Sequence, residues 1–154
     1  MMRLTNTSES FLKDLFKTQK LAVLATKDQD QPYGNLVAFA ATNDLKYLLF
    51  ATVRDTRKYA NIVSNPRVAL VVDNRSNQES DFHQAAAVTA LGIVKEAQGA
   101  EKRRLQKLYL SKHPYLHAFI LSPNCALLKM EVEVYYVVRR FQNVEEIRLT
   151  SPFP

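Results

Sequence analysis

The sequence predicts a mainly β protein, an antiparallel barrel of about six strands with two or three peripheral helices. Short apolar runs alternate with clusters of turn-forming residues, and the chain lacks the strand-helix-strand rhythm of a parallel sheet. The clearest strand has one face of alternating apolar residues, formed by Met130, Val132, Val134, Tyr136 and Val138. At 154 residues we expect one domain, spanning 1–154, with a core of its own.

A helix is predicted at about 6–18, before a barrel at about 20–141. Asn6 is a suitable N-cap, and Glu9 follows three residues later, as in a capping box. Helical spacing places four apolar residues on one face: Phe11, Leu12, Leu15 and Phe16. This face predicts a helix that packs against the barrel.

The remaining elements follow from changes in the apolar period. Strands are predicted, in addition to the one described above, over 21–27, 34–41, 45–52, 67–73 and 85–97. A short helix is predicted over 56–64, started by Asp55 or Thr56 and ended before Asn65-Pro66, because a residue preceding proline avoids the helical region. Two further helical segments are predicted, one containing Leu105, Leu108 and Tyr109 and one over 115–120.

Composition indicates an ordinary globular protein, with 47% hydrophobic and 23% charged residues. The single cysteine, Cys125, cannot form an intramolecular disulfide and is expected to be a buried, inert thiol. The first residues lack the apolar segment of a signal peptide, and no run approaches the roughly 18 apolar residues of a membrane span, so we expect a cytoplasmic protein. The net charge of +6 favours an anionic partner such as a nucleotide, a phosphorylated metabolite or RNA.

Several common sites are excluded or disfavoured by the residues present. With only three glycines, neither the dinucleotide-binding fingerprint nor the P-loop can be formed, and no G-x-S-x-G nucleophile motif exists. His113 and His117 have a spacing that can place two metal ligands on one helix face, but Pro114 is expected to begin the helix and leave His113 outside it. No metal site is expected, and these two histidines and His83 are left without a role.

Two stretches concentrate cations. The predicted helix with Lys102, Arg103, Arg104 and Lys107 has no interleaved aromatic platform, so a solvated face is favoured and nucleic-acid binding is unlikely. The second stretch combines hydroxyls and cations at a strand end and a helix start: Thr52, Thr56, Arg57 and Lys58. Free backbone N–H groups, the helix dipole and an arginine fork suit a phosphate, whereas a capped surface helix with solvated cations is the competing interpretation.

The order and spacing of these residues resemble the pyridoxamine 5'-phosphate oxidase-like family, the split-barrel proteins that bind flavin mononucleotide (FMN). The resemblance spans roughly Leu21 to Phe141. It rests on four motifs, which are Phe50 to Thr52, Thr56-Arg57-Lys58, Asn65-Pro66 and the strand Val68 to Val72. The fold it implies is a six-stranded antiparallel split barrel.

The resemblance also implies a set of cofactor-binding residues. Arg57 and Lys58 would bind the flavin phosphate, with Thr52 and Thr56 as hydroxyl partners, and Arg54 lies outside the matched motif. The isoalloxazine ring would be bordered by the backbone of Asn35, Leu36 and Val37 and by Phe50 and Ala51. Since family members are homodimers with the cofactor at the subunit interface, Asn74 and Arg75 would reach the cofactor from the partner chain.

The chain departs from the true oxidase at three positions. Asn35 and Ala40 stand where the oxidase has arginine and lysine, and Ala87 stands in place of its flavin-contacting glutamine, five residues before Gly92. The hypothesis is therefore an FMN-dependent oxidoreductase of the wider family, acting on an unknown small molecule. A non-catalytic flavin carrier or sensor, or a binder of deazaflavin or haem on the same barrel, remains an alternative. No catalytic residue is predicted.

Overall fold

The computed structural model describes residues 6–140 and 143–149. The five helices in this part of the chain are α1 Asn6–Thr18, α2 Arg57–Ser64, α3 Asp81–Gln84, α4 Gly99–Lys112 and α5 His117–Leu121, the last preceded by a 3-10 turn at Pro114–Leu116. The strands are β1 Leu21–Asp28, β2 Gln31–Ala41, β3 Tyr47–Val53, β4 Arg67–Asp73, β5 Ala86–Glu96, β6 Cys125–Arg139 and β7 Asn143–Arg148.

Six of these strands close into an antiparallel barrel. The sheet order is β3-β2-β1-β4-β5-β6-β7, and an additional pairing of β3 with β6 closes the ring. Closure depends on the 15-residue length of β6, whose first half pairs with β3 from Cys125 to Glu131 and whose larger part pairs with β5. The predicted fold class, a mainly β six-stranded antiparallel barrel with peripheral helices, is confirmed.

Most predicted elements agree with the structure to within a few residues. Strand β7 and the short helix α3 were not predicted. Strand β7 lies outside the closed ring and pairs with β6 from Val134 to Arg139, and α3 lies between β4 and β5. The predicted end of the barrel at Phe141 and the side chain of the predicted cap Asn6 lie outside the described residues.

The barrel interior and the outer surface under α4 each have an apolar core. Helix α1 closes the interior with Leu12, Leu15 and Phe16, and the Phe16 ring meets the edge of Phe39 at a centroid distance of 5.7 Å. Each such buried side chain stabilises the fold by about 1.5–3 kcal/mol. The outer cluster joins α4 and α5 to β2, β3 and β6 through Leu49, Ala51, Leu105, Tyr109, Ile120, Cys125 and Leu127. Cys125 is buried there as expected, and burial raises the pKa of its thiol.

A β-bulge on β6 gives the barrel one of its bends. Leu91 of β5 pairs with Val134 while Gly92 pairs with Val132, so Glu133 is the extra residue on β6. A Cβ atom at Gly92 would collide with the backbone carbonyl of Glu131. Glycine at this position therefore lets two strands approach closely where their register changes.

The three histidines lie in different surroundings. Pro114 begins the 3-10 turn, and His113 is the C-cap of α4 rather than a member of α5, as expected. His113 is buried and bonded to the carbonyl oxygen of Phe39, whereas His83 and His117 are exposed. No group of three or more potential metal ligands lies together among the described residues.

Candidate functional site

The candidate site is built around the first turn of α2, which follows directly from the end of β3. Thr56 is the N-cap of α2, since its Oγ1 accepts a hydrogen bond from the backbone N–H of Tyr59 at 3.3 Å. The same hydroxyl donates to the carbonyl oxygen of Val53 at 2.8 Å and lies 2.9 Å from the hydroxyl of Thr52. Thr52 is only 1% exposed, so it supports the cap from below.

Helix α2 is held against the β1–β2 hairpin by one buried hydrogen bond. The side-chain amide of Asn61 donates to the hydroxyl of Thr26 at 3.0 Å, and both residues are buried. Thr26 pairs directly with Tyr33 across the hairpin. The first turn of α2 is thereby placed above the end of the hairpin.

Arg57 and Lys58 are the cations of this first turn. Arg57 is exposed and Lys58 is half-buried. Among the described residues neither makes an ion pair. The guanidinium of Arg57 lies over the ring of Tyr33, 5.7 Å from its centroid. Two cations without acidic partners therefore lie where a helix begins and where the first backbone N–H groups have no intrahelical acceptor.

Arg54, three residues before Arg57, has a different role. Its guanidinium donates to the carboxylate of Glu96 at 3.0 Å and to the carbonyl oxygen of Pro123 at 3.1 Å. The hydrogen bond that Arg54 donates to Glu96 is the main cause of the raised pKa of Arg54. The hydroxyl of Tyr59 also donates to Glu96, at 3.3 Å. Arg54 thus ties the end of β3 to the end of β5 and to the segment before β6.

The predicted ring-binding residues of β2 alternate between two faces of the strand. Asn35 pairs with Leu24, and Val37 pairs with Ala22, so both point towards the barrel interior. Leu36 points to the outer surface and is 62% exposed. The Oδ1 atom of Asn35 is buried and has no hydrogen-bond partner. A buried acceptor without a partner costs about 1–3 kcal/mol, which marks Asn35 as unusual for a residue with a purely structural role.

The predicted residues of β3 lie inside the protein. Phe50 is fully buried in the barrel core, and Ala51 belongs to the outer cluster beneath α4. A ligand at the first turn of α2 would meet neither side chain on its surface. Both faces of β3 are covered, one by the barrel core and the other by α4, and that Phe50 and Ala51 line a flavin pocket stays a prediction.

Asn74 and Arg75 lie at the far end of β4, on the outer surface of the barrel. The Oδ1 atom of Asn74 accepts the backbone N–H of Ala86 at 2.8 Å, and Arg75 pairs with Asp73 at 2.9 Å. Arg75 and Leu36 line the same cavity of about 460 Å³, together with Leu21 and Val71. The structure therefore brings Leu36 and Arg75 together, whereas Thr56, Arg57 and Lys58 form a separate group at the start of α2.

An adjoining cavity of about 710 Å³ was not anticipated from the sequence. Its lining includes four outward-facing residues of the barrel, Val23, Val71, Ala87 and Val138. Phe82, which is 65% exposed, also lines it. The available signal was the apolar character of outward positions on β1, β4 and β5, where a solvated barrel surface would have polar residues. This apolar outer face comprises Leu21, Val23, Leu36, Val71, Phe82, Ala87 and Val138.

The fold agrees with the comparisons with known proteins. The sequence model of the family described as pyridoxamine 5'-phosphate oxidase matches residues 9–139. Over 99 residues the chain is 32% identical to a pyridoxamine 5'-phosphate oxidase homologue of Schizosaccharomyces pombe, a match that covers 58% of this chain and 52% of that protein. The chain thus spans about half the length of that relative.

Solved structures with the same fold have low sequence identity. A haem-binding protein from Mycobacterium smegmatis has a TM-score of 0.81 at 14% identity, covering 96% of this chain and 60% of that one. An FAD-binding protein from Mesorhizobium loti has a TM-score of 0.65 at 19% identity, covering 84% of this chain and 91% of that one. At this identity the likeness concerns the fold.

The chain belongs to the pyridoxamine 5'-phosphate oxidase family, as its sequence motifs indicated. The family match includes the site at the start of α2 and the outer face of the barrel. None of the helices in the described part of the chain is long and apolar enough to cross a membrane.

Proposed function

We propose that this chain is an FMN-binding domain and acts as a cytoplasmic oxidoreductase on an unknown small molecule. The observation that supports it best is the pair Arg57 and Lys58, two cations with no acidic partner among the described residues, at the first turn of α2. A phosphate placed there would receive charge-assisted hydrogen bonds from both side chains and from backbone N–H groups. Thr56 would hold the turn in place through its own cap bonds.

The β2 strand offers a fitting place for the flavin ring. The unpartnered Oδ1 of Asn35 is a buried acceptor that a bound group or a local rearrangement could satisfy, and the backbone of Leu36 and Val37 runs beside it. When bound, FMN would supply the transfer of hydride or electrons. The protein's own residues would anchor the phosphate, border the ring and limit its contact with water. No side chain here is assigned as a general acid or base.

We infer that the apolar outer face is covered by a second copy of this chain. The exposed side chains of Leu36 and Phe82 are two large apolar groups on that face, and family resemblance implies homodimers with the cofactor between subunits. In such a dimer Asn74 and Arg75 would approach the cofactor of the partner. The substitution Leu36→Asp should convert the dimer to a monomer in light scattering coupled to gel filtration. The matched control is Leu121→Asp on α5, where the leucine is 52% exposed and lies outside the outer face.

FMN is preferred over haem because the two cations at the first turn of α2 suit a phosphate. His113, bonded to Phe39, and Cys125, in the cluster beneath α4, are buried and closed to an iron atom, whereas His83 and His117 are exposed. Deazaflavin would meet the same cationic anchor and is separated from FMN by titration. A carrier or sensor without a substrate is separated from an oxidoreductase by whether the FMN-loaded protein oxidises NADH or NADPH faster than free FMN.

The first test is the visible absorbance spectrum of the purified protein, followed by titration with FMN. We expect a flavin spectrum with about one FMN per chain. The double substitution Arg57→Ala/Lys58→Ala should weaken FMN binding by at least roughly 100-fold, because each of the two charge-assisted bonds contributes about 1.5–3 kcal/mol. The control Arg103→Ala/Lys107→Ala removes the same charge from exposed positions of α4 and should leave affinity nearly unchanged. A protein that binds no added flavin, or a double variant that binds FMN as well as the original, would overturn the proposal.

A further inference from the structure

Two residues on one face of α2 contact a pair of residues that face each other across the β1–β2 hairpin. Arg57 and Asn61 are four apart, so they lie on the same helix face, one turn from each other. Asn61 binds Thr26, and Arg57 lies over Tyr33. Thr26 and Tyr33 are directly paired across the hairpin and therefore point to the same side of it. The buried Asn61–Thr26 bond thus fixes the position of α2 on the hairpin, and with it the position of Arg57 relative to the Tyr33 ring.

Tyr33 is the only charge-related contact that Arg57 makes among the described residues. The distance from guanidinium carbon to ring centroid, 5.7 Å, is within the range of a cation–π interaction. Tyr33 is 38% exposed, so its ring is only partly covered. Lys58 is the next residue and points in another direction, because consecutive helical residues are rotated by about 100°. The ring therefore acts on Arg57 alone.

We propose that Tyr33 is a positioning residue that holds the Arg57 guanidinium ready for a phosphate and so increases the preference for phosphorylated over unphosphorylated flavin. A long arginine side chain loses conformational freedom when it binds an anion, and a ring that already restricts it reduces that loss. The inference rests on the proposed function, because it assigns Arg57 to the FMN phosphate. It adds a residue that the α2 motif does not contain.

The test compares the affinities of FMN and riboflavin, measured by quenching of flavin fluorescence. Replacing the ring by Tyr33→Leu should weaken FMN binding about two- to five-fold and leave riboflavin binding unchanged. Tyr33→Phe keeps the ring and should bind both ligands as the original does. Tyr33→Thr, which also removes the ring and suits a strand, provides a second variant if Tyr33→Leu folds poorly.

A double-mutant cycle separates positioning from a general structural effect. In an Arg57→Met background, Tyr33→Leu should have no further effect on FMN affinity, because the ring acts through Arg57. Equal loss of FMN and riboflavin affinity in Tyr33→Leu, or a full effect in the Arg57→Met background, would overturn the inference. If the original protein prefers FMN strongly and Tyr33→Leu leaves the ratio of the FMN and riboflavin affinities unchanged, this inference fails while the proposed function stands. If the original protein binds FMN no better than riboflavin, the phosphate assignment itself fails.

Discussion

The Nε2–H of His113 donates a hydrogen bond to the carbonyl oxygen of Phe39 across 2.6 Å, although the residues are 74 positions apart. A carbonyl oxygen only accepts, so Nε2 must hold the proton. His113 ends α4, and Phe39 lies in β2 at the core of the barrel. This bond, together with one from the hydroxyl of Tyr109 to the carbonyl oxygen of Ala38 at 3.1 Å, fastens the end of α4 to the barrel wall.

Acid should destabilise the protein through His113. Burial lowers the pKa of His113 below its usual 6.5, and repulsion from Lys112 and Lys20 adds to this. Below pH 6.5 the unfolded chain therefore binds a proton that the folded chain resists, and stability falls until the pH passes the lowered folded pKa. Urea unfolding between pH 7.5 and 5 should show a shallower loss for His113→Gln, which does not titrate. The control His117→Gln, at an exposed histidine, should follow the original protein; matching slopes for all three would contradict the prediction.

Raising the pH into the alkaline range should stabilise the protein through Lys112. Its ammonium donates to the carbonyl oxygens of Phe16, in the last turn of α1, and of Gln19, just after it, at 2.6 and 2.7 Å, and lies 3.8 Å from the centroid of the Phe39 ring. Burial lowers the pKa of Lys112 from 10.5 to about 8. Between pH 8 and 10.5 the unfolded chain retains a proton that the folded chain has lost, so this residue's contribution to stability rises with pH.

The measurement is the free energy of unfolding at pH 7.5, 9 and 10. Lys112→Met removes the titrating group and should lack the part of the pH dependence that Lys112 contributes. Lys107→Met, at an exposed lysine of the same helix, should keep it. A Lys112→Met curve parallel to that of the original protein would show that the lysine is not the source.

Gly92→Ala should be among the more damaging small substitutions in the barrel. The added Cβ would collide with the backbone of Glu131 at the bulge, and backbone atoms cannot move aside as a flexible side chain can. We expect a loss of about 1–3 kcal/mol in the free energy of unfolding. Gly34→Ala is the matched control, because a Cβ at Gly34 has no atom within 4 Å, and its effect should stay within about 0.5 kcal/mol. Similar losses in the two variants would contradict the steric explanation.

Much of the fold could be predicted because its signals are local. The apolar face of α1 and the alternation in β4 are periodic patterns over a few residues, and the predicted bounds of β4 agree with the observed ones. Strand β7 lacked such a signal, since Ile147 is its only buried residue and its other side chains are exposed. Its pairing with β6 depends on the fold around it.

In the candidate site, too, the local motif could be predicted and the contact between distant residues could not. The helix start at Thr56, Arg57 and Lys58 is a contiguous motif and was recognisable in the sequence. The contact of Arg57 with Tyr33 joins residues 24 positions apart and has no periodic signature. The near-continuous apolar run of β3 is typical of a strand buried on both faces, but it does not show that the outer cover is α4, which follows more than 40 residues later.

Substitution of Arg54 should lower stability with little effect on FMN binding, whereas substitution of Arg57 should weaken FMN binding with little effect on stability. Arg54→Ala removes the pair with Glu96, which is partly exposed, and should lower the free energy of unfolding by about 1 kcal/mol while leaving FMN affinity within about twofold. Arg57→Ala should change stability by less than about 0.5 kcal/mol, because the side chain is exposed, and should weaken FMN binding at least about tenfold. Urea unfolding and FMN titration of the two variants side by side measure both effects. Equal losses of FMN affinity would mean that the site responds to net positive charge rather than to a specific arginine, and the assignment of Arg57 as a direct phosphate ligand would be wrong.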